Sequence, residues 1–252
     1  MKRNQFPRNA SSDDIEFIFK LCTMSPYVKK NPDYAKKANA TRIKIDPREE
    51  VNAYAQSLSQ TSHQITMLGG ILNVYSMLGI SLAHFKKDND IQMLINACNW
   101  ICERCEKNSY KFSQNDVNDG LEEMAYIASD SLDHESRGFF TGLTLSVTAH
   151  ELGHICMSHT LREEDSNEIS RNDERQADLF AQSVVSTTPF AGYLVLSSLF
   201  TYILFAWMDK NSTGDATTHP YSKERVMNTL NSHEKYLADL GITKDNISEF
   251  LP

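Results

Sequence analysis

A short string at residues 150–154, His-Glu-Leu-Gly-His, constrains the fold more than any other part of the sequence. It lies within an apolar pattern of helical period, in which Leu145 and Leu152 share one face. The same period continues on both sides of the string without a proline. The pattern therefore predicts a long helix over about residues 139–160, with one face in the core.

The two histidines of this string are suited to metal binding. His150 and His154 are four residues apart, so in a helix their imidazoles share a face and can bind one divalent ion. Glu151 lies beside them, where its carboxylate can take a proton from a water that the ion activates. We expect two zinc ligands and a general base here, the alternative being a helix whose histidines face solvent.

A catalytic zinc ion needs a third protein ligand, and Glu174 is the candidate. It lies 20 residues after His154, far enough for a loop to bring a second helix alongside the first. Asp178, one turn further along the same helical face, can accept a hydrogen bond from a ligand histidine. The alternative is that both carboxylates belong to a solvated helix face.

The composition excludes several protein classes. The 252 residues are 40% hydrophobic and include five cysteines, which fits neither a disordered chain nor a disulfide-rich secreted domain. A formal net charge of -8 argues against a nucleic-acid partner, which would require a basic face. Polar residues follow Lys2 and Arg3, where a signal peptide would have an apolar core. We expect a cytoplasmic protein with reduced thiols.

The two ligand elements together resemble the gluzincins, and more closely the zinc endopeptidases of the CAAX prenyl protease and HtpX type. Residues 174–181 are similar to that family's Glu-x-x-Ala-Asp-x-x-Ala element, which supplies the third ligand. Residues 219–225 resemble its His-Pro-x-x-x-x-Arg element. Asn-Ala-Tyr-Ala at 52–55 and the glycine pair at 69–70 resemble the Asn-Ala-Phe-Ala and Gly-Gly elements of its edge-strand region.

The resemblance implies an α+β fold: a mostly helical, zincin-like metalloprotease domain with a small mixed sheet and an active-site helix. It implies one Zn²⁺ per chain and a protein or peptide substrate, extended along an edge strand that we place near residues 67–74. The ligands would be His150, His154 and Glu174, with Glu151 as the base in peptide-bond hydrolysis.

The resemblance also implies a role for His219 near the open metal position. There it would stabilise the oxyanion of the reaction or gate the zinc ion. The alternative is a histidine that caps the helix opened by Pro220. Arg225 is expected to pair with an acidic residue in a structural role.

We predict one metallopeptidase domain over residues 15–252, after a flexible segment at 1–14. The family has a short link where this chain has about 70 residues, so we interpret about 85–135 as a helical insert. Cys98 and Cys102 fall on the apolar stripe of a helix in that insert. This favours buried thiols over a second metal or redox site.

Two long segments, residues 51–83 and 179–208, carry no Asp, Glu, Lys or Arg. The first contains the glycine pair and aligns with the edge-strand region, so we predict a strand, a turn and a buried helix. The second includes residues 189–208, which are long enough to span a bilayer. A single span would separate Glu174 from His219, however, so we favour a buried core helix over membrane contact.

The spacing after the motif excludes a metzincin. That class would place a glycine at position 157 and a third histidine at position 160, where this chain has Met157 and Thr160. We expect His159 to support a ligand from outside the metal site or to lie on the surface.

Two other functions stay open. One is a cytoplasmic regulatory or host-defence peptidase, similar to phage-exclusion or repressor-cleaving proteins with the same motif, that acts on one partner protein. The other is a non-catalytic, chaperone-like interaction protein with a structural zinc ion, for which Glu151 would have no purpose. The sequence does not predict an oligomeric state.

Overall fold

The computed structural model of the chain describes residues 11–124, 130–161, 167–209 and 222–248. In chain order, the helices among these residues are α1 (Ser12–Thr23), α2 (Pro26–Lys30), α3 (Pro32–Asn39), α4 (Gly69–Asp88), α5 (Ile91–Lys107), α6 (Gln114–Glu123), α7 (Asp130–Cys156), α8 (Asn167–Val185), α9 (Ala191–Asp209), α10 (Ser222–Ser232), α11 (Glu234–Asp239) and α12 (Lys244–Ser248). The strands are β1 (Thr41–Asp46), β2 (Ala53–Ser59) and β3 (Ser62–Leu68), and a 3₁₀ turn spans His159–Leu161.

The three strands form one mixed sheet in the order β1-β3-β2. β3 pairs in parallel with β1 and antiparallel with β2, where Ala53 lies opposite Met67. β3 is buried along nearly its whole length, whereas β2 is half-buried and lies at an edge of the sheet. The predicted class, α+β with mostly helices and a small mixed sheet, is therefore confirmed.

The prediction of an edge strand near residues 67–74 is wrong. β3 ends at Leu68 in the centre of the sheet, and Gly69 already begins α4. The glycine pair serves a close backbone approach, since a Cβ on Gly70 would lie 2.0 Å from the carbonyl oxygen of Glu49. The approach occurs at the start of a helix rather than within a strand. The first uncharged segment thus folds as two strands joined by a turn and then a buried helix.

α7 is the central helix of the core and packs against α1, α4, α8 and α9. Its predicted core positions Leu145, Ala149 and Leu152 are fully buried. Because α7 is enclosed by several other helices, the direction of each of its side chains is closely fixed. The string at residues 150–154 therefore lies on a rigid element.

The second uncharged segment contains the end of α8 and most of α9, and α9 packs against α7 and α10. Leu199, Phe200 and Ile203 of this helix are buried in the core. Across the described residues, no helix combines the length and the apolar character that a bilayer span requires.

The first helix begins within the segment 1–14 that was predicted to be flexible. α1 starts at Ser12, and the Ser11 hydroxyl caps it by accepting a hydrogen bond from the Asp14 backbone amide at 3.2 Å. Of the predicted flexible segment 1–14, residues 1–10 lie outside the described part of the chain. In the predicted insert, α5 and α6 both pack against α4.

All five cysteines are buried as free thiols, namely Cys22, Cys98, Cys102, Cys105 and Cys156. Burial raises the pKa of Cys98 and of Cys105 to about 12, so both remain protonated at neutral pH. We expect Ellman's reagent to react with none of the five in the native protein and with all five in concentrated guanidinium chloride. A Ser59→Cys variant, at an exposed position, serves as the reactive control. Rapid reaction of a native thiol would contradict this prediction.

Candidate metal centre

Three side chains converge between α7 and α8. His150 and His154, on one face of α7, place their Nε2 atoms 3.1 Å apart. Glu174, on α8, places Oε2 3.2 Å from Nε2 of His150 and Oε1 3.3 Å from Nε2 of His154. Among the described residues, these three form the one group of histidine, cysteine and acidic side chains close enough to hold a metal ion together.

The close packing of the two helices brings Glu174 to the histidines. A Cβ on Gly153 would lie 3.2 Å from Cα of Ala177, so the glycine in the motif allows α8 to approach α7. Glu174 and Asp178 are buried and lie on the same face of α8 as Ala181, which is also buried. Two alternatives are therefore wrong: the carboxylates do not form a solvated face, and the two histidines point towards α8 rather than towards solvent.

The close approach of the candidate ligand groups is compatible with a zinc site. Zinc bonds to histidine nitrogen and carboxylate oxygen are about 2.0–2.1 Å long, which places ligand atoms about 3.3–3.4 Å apart at a tetrahedral ion. The two nitrogens lie 3.1 Å apart, and each lies 3.2–3.3 Å from one of the two carboxylate oxygens of Glu174, so both oxygens face the site. Two imidazoles and one carboxylate are also the donor set of a catalytic site that keeps one position for water or substrate. The residues present thus fit the metal that the sequence predicts.

Asp178 supports His150 from the side opposite Glu174. Its Oδ1 atom lies 3.0 Å from Nδ1 of His150 and also accepts hydrogen bonds from Arg225 and, at 3.4 Å, from the hydroxyl of Tyr202. Burial alone would raise the pKa of Asp178, but Arg225 and His150 hold it below its usual value. Asp178 is therefore a carboxylate at neutral pH, and it accepts a hydrogen bond from Nδ1 of His150.

The same contacts determine the proton affinity of His150. Burial opposes a charge on this ring, but hydrogen bonds to Asp178 and Glu174 raise its pKa to about 10. A proton and a metal ion therefore compete for this imidazole, and metal binding would release the proton.

Arg225 belongs to α10 and pairs with Asp178 on α8, as its predicted structural role requires. Its guanidinium also lies over the ring of Tyr202, 4.4 Å from the ring centroid. Helices α8, α9 and α10 thus meet at one buried charge pair beside the metal centre.

His159 is buried and contacts the metal centre through His154. The Nδ1 atoms of the two rings lie 3.1 Å apart, and Nε2 of His159 lies 3.4 Å from Oδ1 of Asp173. Of the two outcomes expected for His159, a position on the surface is excluded by its burial.

Glu151 lines a cavity of about 210 Å³ that opens beside His150 and Glu174. Part of the cavity wall is the chain before and at the start of β2, from Val51 to Ala53, and another part is α9. The predicted base therefore lies next to a space that can hold part of a substrate. The predicted His219 falls outside the described residues.

Sequence reasoning missed Tyr202 and Asp173 as parts of this centre. Tyr202 lies in an uncharged helix, where an aromatic residue indicates only burial. Asp173 lies next to Glu174, and the sequence offered no signal that would connect it with His159. By contrast, the four-residue spacing between Glu174 and Asp178 was sufficient to relate them.

The model of one protein family, Peptidase U49, matches residues 95–240, which is more than half of the chain. The matched region includes α7, α8 and all three candidate ligands. No curated protein and no solved structure matches the chain.

Proposed function

Because the chain belongs to the Peptidase U49 family, we propose that it is a zinc-dependent endopeptidase of the gluzincin type. The proposed ligands are His150, His154 and Glu174, with one Zn²⁺ per chain. Asp178 would hold His150 in place, and Glu151 would act as the general base.

One observation carries the proposal: the Nε2 atoms of the two histidines and the carboxylate of Glu174 lie within 3.1–3.3 Å of one another, and Glu151 lines the cavity beside them. A purely structural zinc ion is closed by four protein ligands. Here the described residues offer three, together with a carboxylate at the adjoining cavity. This arrangement favours catalysis over the alternative of a non-catalytic interaction protein.

In the proposed mechanism, each residue of the site has a separate role in peptide-bond hydrolysis. A zinc ion bound there supplies a Lewis acid for the peptide carbonyl and lowers the pKa of the attacking water to about 7. Glu151 accepts the proton of that water and later donates it to the leaving amine. Asp178 keeps the hydrogen of His150 on Nδ1, so that Nε2 presents its lone pair to the metal.

The substrate would lie along β2 rather than along the strand first predicted. β2 is at an edge of the sheet, and Ala53 at its start lines the cavity. An extended peptide can add to such an edge by main-chain hydrogen bonds, while one of its side chains enters the cavity. We therefore propose that the peptide or protein substrate binds antiparallel or parallel to β2 and across Glu151.

We also propose that His219 stabilises the oxyanion or gates the zinc ion. In sequence it lies three residues before α10, the helix whose Arg225 contacts Asp178 beside the ligands. The role stays a proposal that follows from this position and from the resemblance of residues 219–225 to the His-Pro-x-x-x-x-Arg element.

The wider biology is proposed on the same basis. One metallopeptidase domain over residues 15–252, with an insert at about 85–135, is consistent with the packing of α5 and α6 on α4. The net charge of -8 supports the proposal that nucleic acid is not a partner of this protein. Five buried, unpaired cysteines support a reducing, cytoplasmic location.

Metal content and chelation test the proposed function. We expect one zinc per chain and peptide cleavage that stops with a chelator and returns with zinc. Glu174→Ala is expected to weaken zinc binding by about 100-fold or more, because a metal ligand is lost. The matched control is Glu224→Ala, at an exposed position on α10. Zinc affinity equal to that of the parent in Glu174→Ala would remove this residue from the ligand set.

A further inference from the structure

The two candidate ligand histidines are supported in different ways. Nδ1 of His150 contacts a carboxylate directly, at 3.0 Å from Oδ1 of Asp178. Nδ1 of His154 instead contacts a second imidazole, at 3.1 Å from Nδ1 of His159. The side chain of His159 is only 4% exposed, so this contact occurs away from bulk water.

Metal binding by His154 would determine which of the two rings donates the hydrogen bond between their Nδ1 atoms. If Nε2 of His154 binds the metal, that nitrogen carries no hydrogen, and Nδ1 must carry it. Nδ1 of His154 therefore donates, and Nδ1 of His159 must accept. A neutral His159 then has its own hydrogen on Nε2, the atom that lies 3.4 Å from Oδ1 of Asp173.

We propose that His159 is a positioning residue for the metal ligand His154. It fixes the tautomer and the orientation of that ring by accepting a hydrogen bond at Nδ1. The carboxylate of Asp173, 3.4 Å from Nε2 of His159, in turn favours a hydrogen on that nitrogen. This inference rests on the proposed metal site, and it assigns a role to two residues outside the motif. A carboxylate or carbonyl usually fills this place beside a metal-bound histidine.

Hydrogen bonds fix the position of the chain both before and after His159. Before it, Nζ of Lys37 donates to the carbonyl oxygen of Cys156 at 2.7 Å and to Oγ of Ser158 at 2.6 Å. After it, Oγ1 of Thr160 lies 2.7 Å from Oγ of Ser57 on β2. Ser158 also adopts a left-handed backbone conformation, with φ 67°, which turns the chain back towards the ligands. These contacts hold the imidazole against His154.

Two substitutions separate hydrogen bonding from packing. His159→Phe keeps a ring of similar size but removes the acceptor, whereas His159→Asn keeps a side-chain oxygen that can occupy the place of Nδ1. We expect His159→Phe to weaken zinc affinity by about 10- to 100-fold, measured by competition with a chromogenic chelator. We expect His159→Asn to restore affinity to within about threefold of the parent.

The matched control is His84→Phe. His84 is a histidine of similar burial near the end of α4, and its Nδ1 lies near Asp88 rather than near a metal ligand. Its zinc affinity should equal that of the parent. Parent-like affinity in His159→Phe, or equal losses in the Phe and Asn variants, would overturn the inference. Absorption spectra of the Co²⁺-substituted proteins provide a second readout, since a reoriented ligand changes the cobalt bands.

One measurement needs no substitution. In the zinc-loaded parent, nitrogen-15 spectra of the histidine rings should show a hydrogen on Nδ1 of His154 and on Nε2 of His159. A hydrogen on Nδ1 of His159 would overturn the inference even if a variant failed to fold. If the parent bound no zinc, the proposed metal site would fail and this inference with it. A parent that binds zinc with the opposite tautomer would leave the proposed function intact and reject only the role of His159.

Discussion

Glu151→Gln is expected to lower kcat by about a thousandfold while the protein keeps one zinc per chain. Glutamine has the shape of glutamate, but its amide cannot accept the proton of the attacking water, and general bases contribute about 10²–10⁴ in rate. Glu151 is 9% exposed and lines the cavity, and it is not one of the three clustered ligands. Zinc content should therefore stay the same when the rate falls.

The experiment compares cleavage sites in a whole proteome, and rates on one peptide from it, for the parent and for Glu151→Gln. Glu103→Gln, the same change at an exposed position on α5, should cleave as the parent does. A narrow set of cleaved proteins would favour the regulatory or host-defence peptidase over a general one. If Glu151→Gln cleaved at the parent rate, the assignment of the base would be wrong.

Arg225→Met is expected to destabilise the protein by about 3 kcal/mol or more. The substitution leaves Asp178 charged and buried beside His150 without its cation, and breaking a buried pair typically costs about 3–5 kcal/mol. For a chain of this size, that corresponds to a decrease in Tm of about 6–12 °C. Thermal unfolding should be followed with zinc and with a chelator, because metal binding also stabilises the folded state.

Arg175→Met is a closely matched control. Arg175 pairs with Glu224 at 3.5 Å and so joins the same two helices, α8 and α10, but both side chains are about half exposed. Its loss should cost less than about 1 kcal/mol. The pKa of Asp178 is lower in the folded protein than in the unfolded chain, so the ion pair of Asp178 stabilises the folded state at neutral pH. That stabilisation is lost as the pH falls through the lowered pKa. Equal effects of the two substitutions at neutral pH would contradict the buried pair.

The sequence predicted the helices of the metal centre because their signals are local. The four-residue spacing of His150 and His154 requires only a helix, and the structure provides one in α7. Glu174 and Asp178 have the same four-residue spacing on α8. Once the face of α8 that carries them packs against α7, both carboxylates lie beside the histidines.

The features that the sequence did not predict are non-local. Residues 71–75, Ile-Leu-Asn-Val-Tyr, have the β-branched and aromatic character of a strand, yet they lie in α4. Most of them are buried there, and packing in the core outweighs their strand propensity. The edge position of β2 depends on which strands pair, and the partners of β1 and β3 lie 22 residues apart in the chain. The contact between His159 and Asp173 likewise depends on how the turn after α7 lies against α8, which no residue spacing reveals.

Part of the cavity wall comes from a different stretch of the chain than the candidate ligands do. Val51, Ala53 and Ile71 line the cavity and precede residue 95, where the family match begins, whereas all three ligands lie within the match. This part of the wall therefore lies outside the family match. A substitution there can change what the cavity accepts and leave the candidate ligands on α7 and α8 in place.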